Sequence, residues 1–218
     1  MDQPIFITGI GTGIGKTIVS AIVAEALQAD YWKPIQAGFN ESTDALLVKD
    51  LISNSATIIH PEVYKLKLAA SPHIAARAEN INIDLDKVAE LYQQLKKSPI
   101  TDHKSQIIIE GAGGLLVPLN KDKFVIDLIK KLNAKVILVS RNYLGSINHS
   151  LLTAAVCKQH NIDVMGWIFN DQYMHYEEEI VQWSGYKKIG SVSFTETIDK
   201  AFIKKEADKI RLSLQSAL

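Results

Sequence analysis

The sequence predicts a three-layer α/β fold, with a mainly parallel central sheet flanked by helices. Three observations carry that expectation. Strand-length apolar runs alternate with helical-period segments along the 218 residues, the pattern of successive βα units. At least four of the runs, beginning near Ile5, Ile107, Val136 and Val164, are too apolar to expose either face, as strands buried between two helical layers must be. The residues that end these runs are glycines, small polar residues and charges, placed where the carboxyl ends of parallel strands open a crevice.

The first element is a strand from Ile5 that runs into a loop with glycine at positions 9, 11, 13 and 15, followed by Lys16, Thr17 and an apolar helix (Ile18, Val19, Ile22, Val23, Ala26, Leu27). Strand, glycine loop and Lys-Thr at a helix start together describe a phosphate-binding loop. Glycines let successive N–H groups turn towards one anion, the helix terminus adds partial positive charge, Lys16 can reach β- and γ-phosphates, and Thr17 can offer a hydroxyl to Mg²⁺. The architecture is therefore P-loop NTPase-like. Five residues separate Gly9 from Gly15 where the common pattern has four, so the loop is one residue longer. A plain glycine-rich connector would leave Lys16 and Thr17 unexplained, and glycines at every second position do not make a dinucleotide fingerprint.

Composition narrows the partners. Twenty-four basic and twenty-four acidic residues cancel, so no global field recruits nucleic acid or an anionic membrane, and any anion must be bound locally. At 47% hydrophobic and 22% charged, residues 1–218 suit a single domain. The lone Cys157 has no intramolecular partner and sits among Thr153, Ala154, Ala155 and Val156, as on a core-facing helix. No basic leader precedes strand 1 and no run approaches a membrane span, so a cytoplasmic protein is expected.

Asp30 to Trp32 reads as a short strand that ends at Lys33 before Pro34 and Gly38. Lys33 is either a surface lysine or a cation on the crevice side. Ser42 or Thr43 can cap a helix with Leu46, Leu47 and Leu51 on one face; an acid such as Asp44 is favoured in its first turn by the dipole alone, so a structural role suits it as well as a functional one. Residues 54–82 are the least regular, with a short strand near Val63 to Leu66 and a helix after Ser71-Pro72; His73 suits a helix-start histidine with a backbone partner. Asp84 to Lys97 is amphipathic through Val88, Leu91, Tyr92 and Leu95. The run Gln106 to Ile109 places Glu110 where a strand ends and glycines begin, the position from which an NTPase carboxylate orients Mg²⁺. A helix over Phe124 to Leu132 and a strand over Lys135 to Ser140 follow. Gly145 and Ser146 open another helix able to hold an anion. A strand over Val164 to Phe169 ends in Asn170-Asp171, which suits a turn or a contact to a base. A short strand over Lys188 to Val192 and a helix from about Asp199 complete the chain.

Seven blocks occur in order between residues 8 and 171: the loop from Thr8 to Thr17, Trp32-Lys-Pro-Ile-Gln-Ala-Gly38, Thr43-Asp-Ala-Leu46, Ser71-Pro-His73, Ile109-Glu-Gly-Ala-Gly-Gly114, Leu144-Gly-Ser-Ile-Asn-His149 and Gly166-Trp-Ile-Phe-Asn-Asp171. Together they resemble the dethiobiotin synthetase family. The resemblance implies ATP- and Mg²⁺-dependent carboxylation and ring closure of 7,8-diaminononanoate with CO₂ in biotin synthesis, by a homodimer with its site at the interface. It implies phosphate contacts from Gly13, Ile14, Gly15, Lys16, Thr17 and Ile18, and Mg²⁺ held by Thr17, Asp44 and Glu110. Lys16 and Lys33 would be catalytic, and Glu110, Gly111, Ala112 and Gly113 would line the site. Asn170 and Asp171 would meet the base, and Thr12, Lys33, Ala37, Gly145, Ser146, Ile147 and Asn148 the substrate. Three positions depart from the family pattern: Gly13 where an acid is frequent, Ala37 where a hydroxyl is frequent, at a cost on the order of 1 kcal/mol for the lost hydrogen bond, and the segment Ser191 to Thr195, which lacks the proline found beside the base. The alternative reading, a partner-switching ATPase of the partitioning type, calls for an extra lysine early in the loop, where residues 10–14 are Ile-Gly-Thr-Gly-Ile.

Overall fold

The computed structural model describes residues 3–39, 42–97, 106–171 and 173–218, so the reading of the chain's first two residues lies outside it. Its elements are β1 (Ile5–Gly9), α1 (Lys16–Leu27), β2 (Asp30–Trp32), β3 (Ile35–Ala37), α2 (Asp44–Leu51), β4 (Ile59–His60), β5 (Tyr64–Leu66), α3 (Pro72–Ala78), α4 (Leu85–Lys97), β6 (Ile107–Gly114), α5 (Val125–Lys131), β7 (Lys135–Arg141), α6 (Ser146–Gln159), β8 (Val164–Asn170), α7 (Glu177–Ser184), β9 (Lys188–Ser191) and α8 (Lys200–Gln215). Seven strands form one sheet in the order β4-β2-β6-β1-β7-β8-β9, and the pairings are parallel throughout. Parallel pairing requires a crossover between strands, and the helices that supply it cover both faces.

The two-residue period of the strands divides the core. Ile5 and Ile7 of β1, Ile108 of β6 and Ile137 and Val139 of β7 face the layer of α1, α2 and α8. Phe6, Ile107, Ile109, Val136 and Leu138 face the opposite layer of α3 to α7. Each fully buried Ile, Leu or Phe contributes roughly 1.5–3 kcal/mol relative to exposure, so both layers have an apolar drive. Cys157 is one of these core residues; burial pushes its thiol up to about 12 and leaves it inert.

The chain order places β1 between β6 and β7, and the loops after β1, β2 and β6 open at one sheet edge. One expectation is corrected here. The run that was to end at Glu110 continues to Gly114, because β6 keeps pairing with β1 across an irregularity between Ile7 and Gly9. Glu110 nonetheless stands one residue beyond the last β2 partner, Trp32 opposite Ile109, and so is at an edge on that side. The strand expected near Val63 to Leu66 is β5, which pairs with β3 in a separate two-stranded sheet and frames the crevice from the side.

Candidate active site

The loop between β1 and α1 is fixed by what its glycines avoid. A Cβ on Gly9 would lie 2.2 Å from the Val139 carbonyl oxygen, and one on Gly15, which has φ +89°, would lie 2.4 Å from Asn170 Nδ2. Neither approach tolerates a side chain. Gly15 is the N-cap of α1, with no side-chain cap and no acid in the first turn, so the first N–H groups of a twelve-residue helix remain available to an anion.

Lys16 opens α1 and is buried, with Nζ donating to the Gly11 carbonyl at 2.6 Å, folded back over its own loop. Burial, reinforced by the neighbouring Lys33 charge and opposed by Glu110 and Asp44, lowers its ammonium to about 8. Thr17 donates to Glu110 Oε1 at 2.9 Å. Lys33, at the end of β2, reaches the same oxygen at 2.6 Å and also bonds Asp44 Oδ2. Burial alone would discharge Lys33, but the Glu110 and Asp44 carboxylates outweigh it and hold the ammonium above its ordinary value. The second Glu110 oxygen accepts from the Tyr31 phenol at 2.8 Å; that phenol is raised well above its usual value by burial and by the adjacent Glu110 charge, and so remains a donor.

Asp44 begins α2, whose cap is Thr43 through Leu46 N–H at 3.4 Å. Its carboxylate contacts Lys33 as well as standing in the first helical turn, so the local dipole argument is only part of its environment. Gln36 helps place it, with Oε1 accepting from the Asp44 N–H at 3.4 Å.

These groups line one cavity of about 610 Å³. Of the sequence-derived residues it brings together Thr12, Gly13, Gly15, Lys16, Thr17, Ile18, Lys33, Ala37, Asp44, Glu110, Ala112 and Gly113. Sequence reasoning missed Gln36, Leu47 and Val117 and assigned no role to the segment Ala69 to Pro72, all on its wall. His73 takes the Ser71 hydroxyl as ring partner, at 3.0 Å.

The other named residues lie elsewhere. Ile14 is buried; its carbonyl accepts from Asn170 Nδ2 at 2.7 Å, which packs Asn170 beneath the loop. Asp171 pairs with Arg141 at 3.2 Å, and Gly111 lies against the Phe6 ring. Gly145, Ser146, Ile147 and Asn148 do not line the first cavity. The Ser146 hydroxyl is fully buried against Tyr176 Oη at 2.6 Å, a partner thirty residues away that local sequence cannot reveal. Next to this helix start, Tyr143, His149 and Arg141 line a second cavity of about 520 Å³, which shares Thr12 and Gly13 with the first. The loop thus separates two chambers.

Among the described residues there is no group of three or more His, Cys, Asp or Glu side chains able to hold a metal by themselves. Two carboxylates and a hydroxyl do converge, and a buried ammonium already bridges the carboxylates as a stand-in cation. That donor set fits Mg²⁺, which binds through one or two carboxylates and completes its shell with phosphate and water.

Comparison with known proteins follows the same lines. The AAA domain family matches residues 3–201. The MinC:MinD cell division complex of Aquifex aeolicus superimposes with a TM-score of 0.61 at 15% identity, covering 99% of this chain and 95% of that one. The cell division ATPase MinD of Pyrococcus furiosus does so with a TM-score of 0.58 at 15% identity, covering all of both chains. At such identity these likenesses establish a shared P-loop NTPase fold alone. Sequence kinship is closer elsewhere. The chain is 49% identical to the ATP-dependent dethiobiotin synthetase BioD of Cytophaga hutchinsonii, over 94% of this chain and 95% of that protein. It is 44% identical to the protein of the same name from Christiangramia forsetii, over 98% and 99%. With the loop, the two lysines and the paired acids on one cavity, and with this kinship along nearly the whole length, the chain belongs to the ATP-dependent dethiobiotin synthetase family.

Proposed function

We propose that this chain is a ligase that carboxylates 7,8-diaminononanoate with CO₂ and closes the ureido ring of dethiobiotin, at the expense of ATP. The observation that carries the reading is the convergence of Lys16, Lys33, Asp44 and Glu110 on one cavity beside an uncapped helix start. A partner-switching ATPase would also use the loop and the acids. It leaves a second buried lysine without a task, and the sequence kinship lies with the synthetases.

Thr17, Asp44 and Glu110 are the residues that would hold Mg²⁺. Bound there with ATP, the metal supplies neutralisation of phosphate charge. One amine of the substrate captures CO₂ as a carbamate, a poor electrophile. A carbamate oxygen attacks the γ-phosphorus and ADP leaves. Lys16, released from the Gly11 carbonyl, and the loop N–H groups stabilise the charge that gathers on the transferring group. Lys33, which its carboxylate partners hold protonated in the ligand-free site, supplies a second positive charge beside the carbamate once a metal takes its place on them. The remaining amine then attacks the carbamic–phosphoric anhydride, the C–O bond to phosphate breaks, and the ring closes between two amines of one molecule already held close.

The substrate chain would extend past Ala37 or across the loop towards the α6 start, where Gly145 to Asn148 would meet its carboxylate. Asn170 and Asp171 would stand near the base. A homodimer is part of the proposal. Leu116 and Leu152, both more than half exposed, line a shared apolar cavity of about 290 Å³ at the edge of the α6 face, a surface suited to a second copy. Among the described residues no helix is long and apolar enough to cross a membrane.

The test is incubation of purified protein with ATP, Mg²⁺, bicarbonate and 7,8-diaminononanoate. Dethiobiotin, ADP and phosphate in equal amounts are expected. Folded protein that forms no dethiobiotin would remove the assignment.

A further inference from the structure

Glu110 has two oxygens in different company. Oε1 faces the cavity and accepts from Thr17 and Lys33, both of which a ligand can displace or join. Oε2 points into the protein and accepts from the Tyr31 phenol, on a side chain with no exposed surface. Strand register explains how Tyr31 reaches it. Tyr31 of β2 pairs with Ile108 of β6, two residues before Glu110 and on the same face of the sheet, so the long phenol spans the diagonal between neighbouring strands. Tyr31 and Ile108 belong to the core layer under α1, which fixes the ring and so the direction of its hydroxyl.

We infer that Tyr31 is a positioning residue that occupies one oxygen of Glu110, so that this carboxylate can meet a divalent cation through Oε1 alone and thereby favours Mg²⁺ over Ca²⁺. Mg²⁺ needs near-octahedral ligands at short range and takes a carboxylate through one oxygen. Ca²⁺ accepts more ligands at longer range, frequently both oxygens of one carboxylate. A phenol that holds Oε2 removes the geometry the larger ion would exploit. Asp44, on the other side of Lys33, has a third of its side chain exposed, and the donor its carboxylate meets among the described residues is the Lys33 ammonium, which a cation can displace, so the selectivity falls to Glu110.

This inference rests on the reading of Glu110 as a metal carboxylate, and the experiment separates the two. ADP affinity is measured by calorimetry in EDTA, in Mg²⁺ and in Ca²⁺, for the wild-type protein and Tyr31→Phe. Equal affinities in EDTA are expected, with the preference for Mg²⁺ over Ca²⁺ falling about tenfold in the variant, the scale of one hydrogen bond to a charged group. An unchanged preference in a variant that otherwise binds ADP normally overturns the role of Tyr31 alone. A wild-type protein whose ADP affinity ignores Mg²⁺ overturns the metal reading and this inference with it. Should Tyr31→Phe not fold, infrared difference spectra of wild-type protein with ADP, Mg²⁺ minus EDTA, assigned against Glu110→Gln, decide the matter. A one-oxygen carboxylate splitting supports the role, and a two-oxygen splitting overturns it.

Discussion

Helix α1 has a buried carboxylate at each end, and the two are satisfied in opposite ways. In its last turn, Glu25 accepts from Ser53 N–H at 2.9 Å, Ser53 Oγ at 2.5 Å, Asn54 N–H at 3.3 Å and Asn54 Nδ2 at 2.9 Å. These neutral donors belong to the segment after α2. Burial would raise the Glu25 carboxyl, but the Ser53 and Asn54 bonds outweigh it and hold it below its ordinary value. At the other end, Glu110 is held by Thr17, Tyr31 and Lys33, and Lys33 is shared with Asp44. Here the charge is met largely by another charge on a long side chain, which a second cation can replace. The lesson is that a buried acid closed by neutral local donors is a fastening, whereas one closed by a movable cation is a site in waiting.

The largest effect that would sharpen this contrast is at Lys33. Lys33→Ala should retain nucleotide affinity in a filter or calorimetric assay while turnover falls on the order of 10³-fold, the scale of removing one preorganised transition-state charge. Unchanged turnover would make Lys33 a bystander. At the opposite end, Glu25→Ala should cost about 1 kcal/mol in urea unfolding, since Ser53 and Asn54 lose a charged acceptor but stay within reach of water, with turnover unaffected. The pH dependence has a definite sign. Because the folded-state value of Glu25 is depressed, its contribution is present above its ordinary value of 4.5 and is lost as the pH falls through the folded value. Wild-type and Glu25→Ala stabilities should therefore converge in acid; parallel curves would contradict the assignment.

A smaller effect concerns Lys16. With its ammonium near 8 in the ligand-free protein, about half of the molecules lack that proton at pH 8, and a bound polyphosphate draws it back. Calorimetry in buffers of different ionisation heat should find about half a proton taken up at Lys16 on ATP binding at pH 8 and almost none at pH 6.5. Equal uptake at both would show that burial does not perturb this lysine. The smallest effect is expected far from either end. Asp86, largely exposed, pairs with Lys131, and Asp86→Asn should change stability by less than about 0.5 kcal/mol.

The same contrast explains what could be read in advance. Lys16, Thr17, Lys33 and Glu110 were legible because each follows an apolar run, and parallel strands present their ends on one side. Asp44 was visible but ambiguous, since a helix start welcomes an acid whether or not anything binds it. Tyr31 was hidden. In the sequence it is one aromatic residue in a three-residue strand, and only the register of β2 on β6 turns it towards Glu110. The partner of Ser146 was hidden for a similar reason, its small hydroxyl being met by Tyr176 from a distant turn. Strand β4 is only two residues long and gave no periodic signal, yet it carries His60, whose ring meets Asp30 at 3.1 Å at the sheet edge. Helix α7 begins with three consecutive glutamates, which suit a helix N-terminus but leave little apolar pattern to detect.

The exchangeable cation is the feature on which the account turns, and Mn²⁺ titration of nucleotide-free protein, followed by electron paramagnetic resonance, tests it most directly. Lys33→Met leaves Asp44 and Glu110 without their ammonium, so the variant should bind one Mn²⁺ per chain at least about tenfold more tightly than the wild type, a modest share of the Coulomb energy at this range. Identical Mn²⁺ binding by the two proteins would contradict the claim that Lys33 holds the place of a metal.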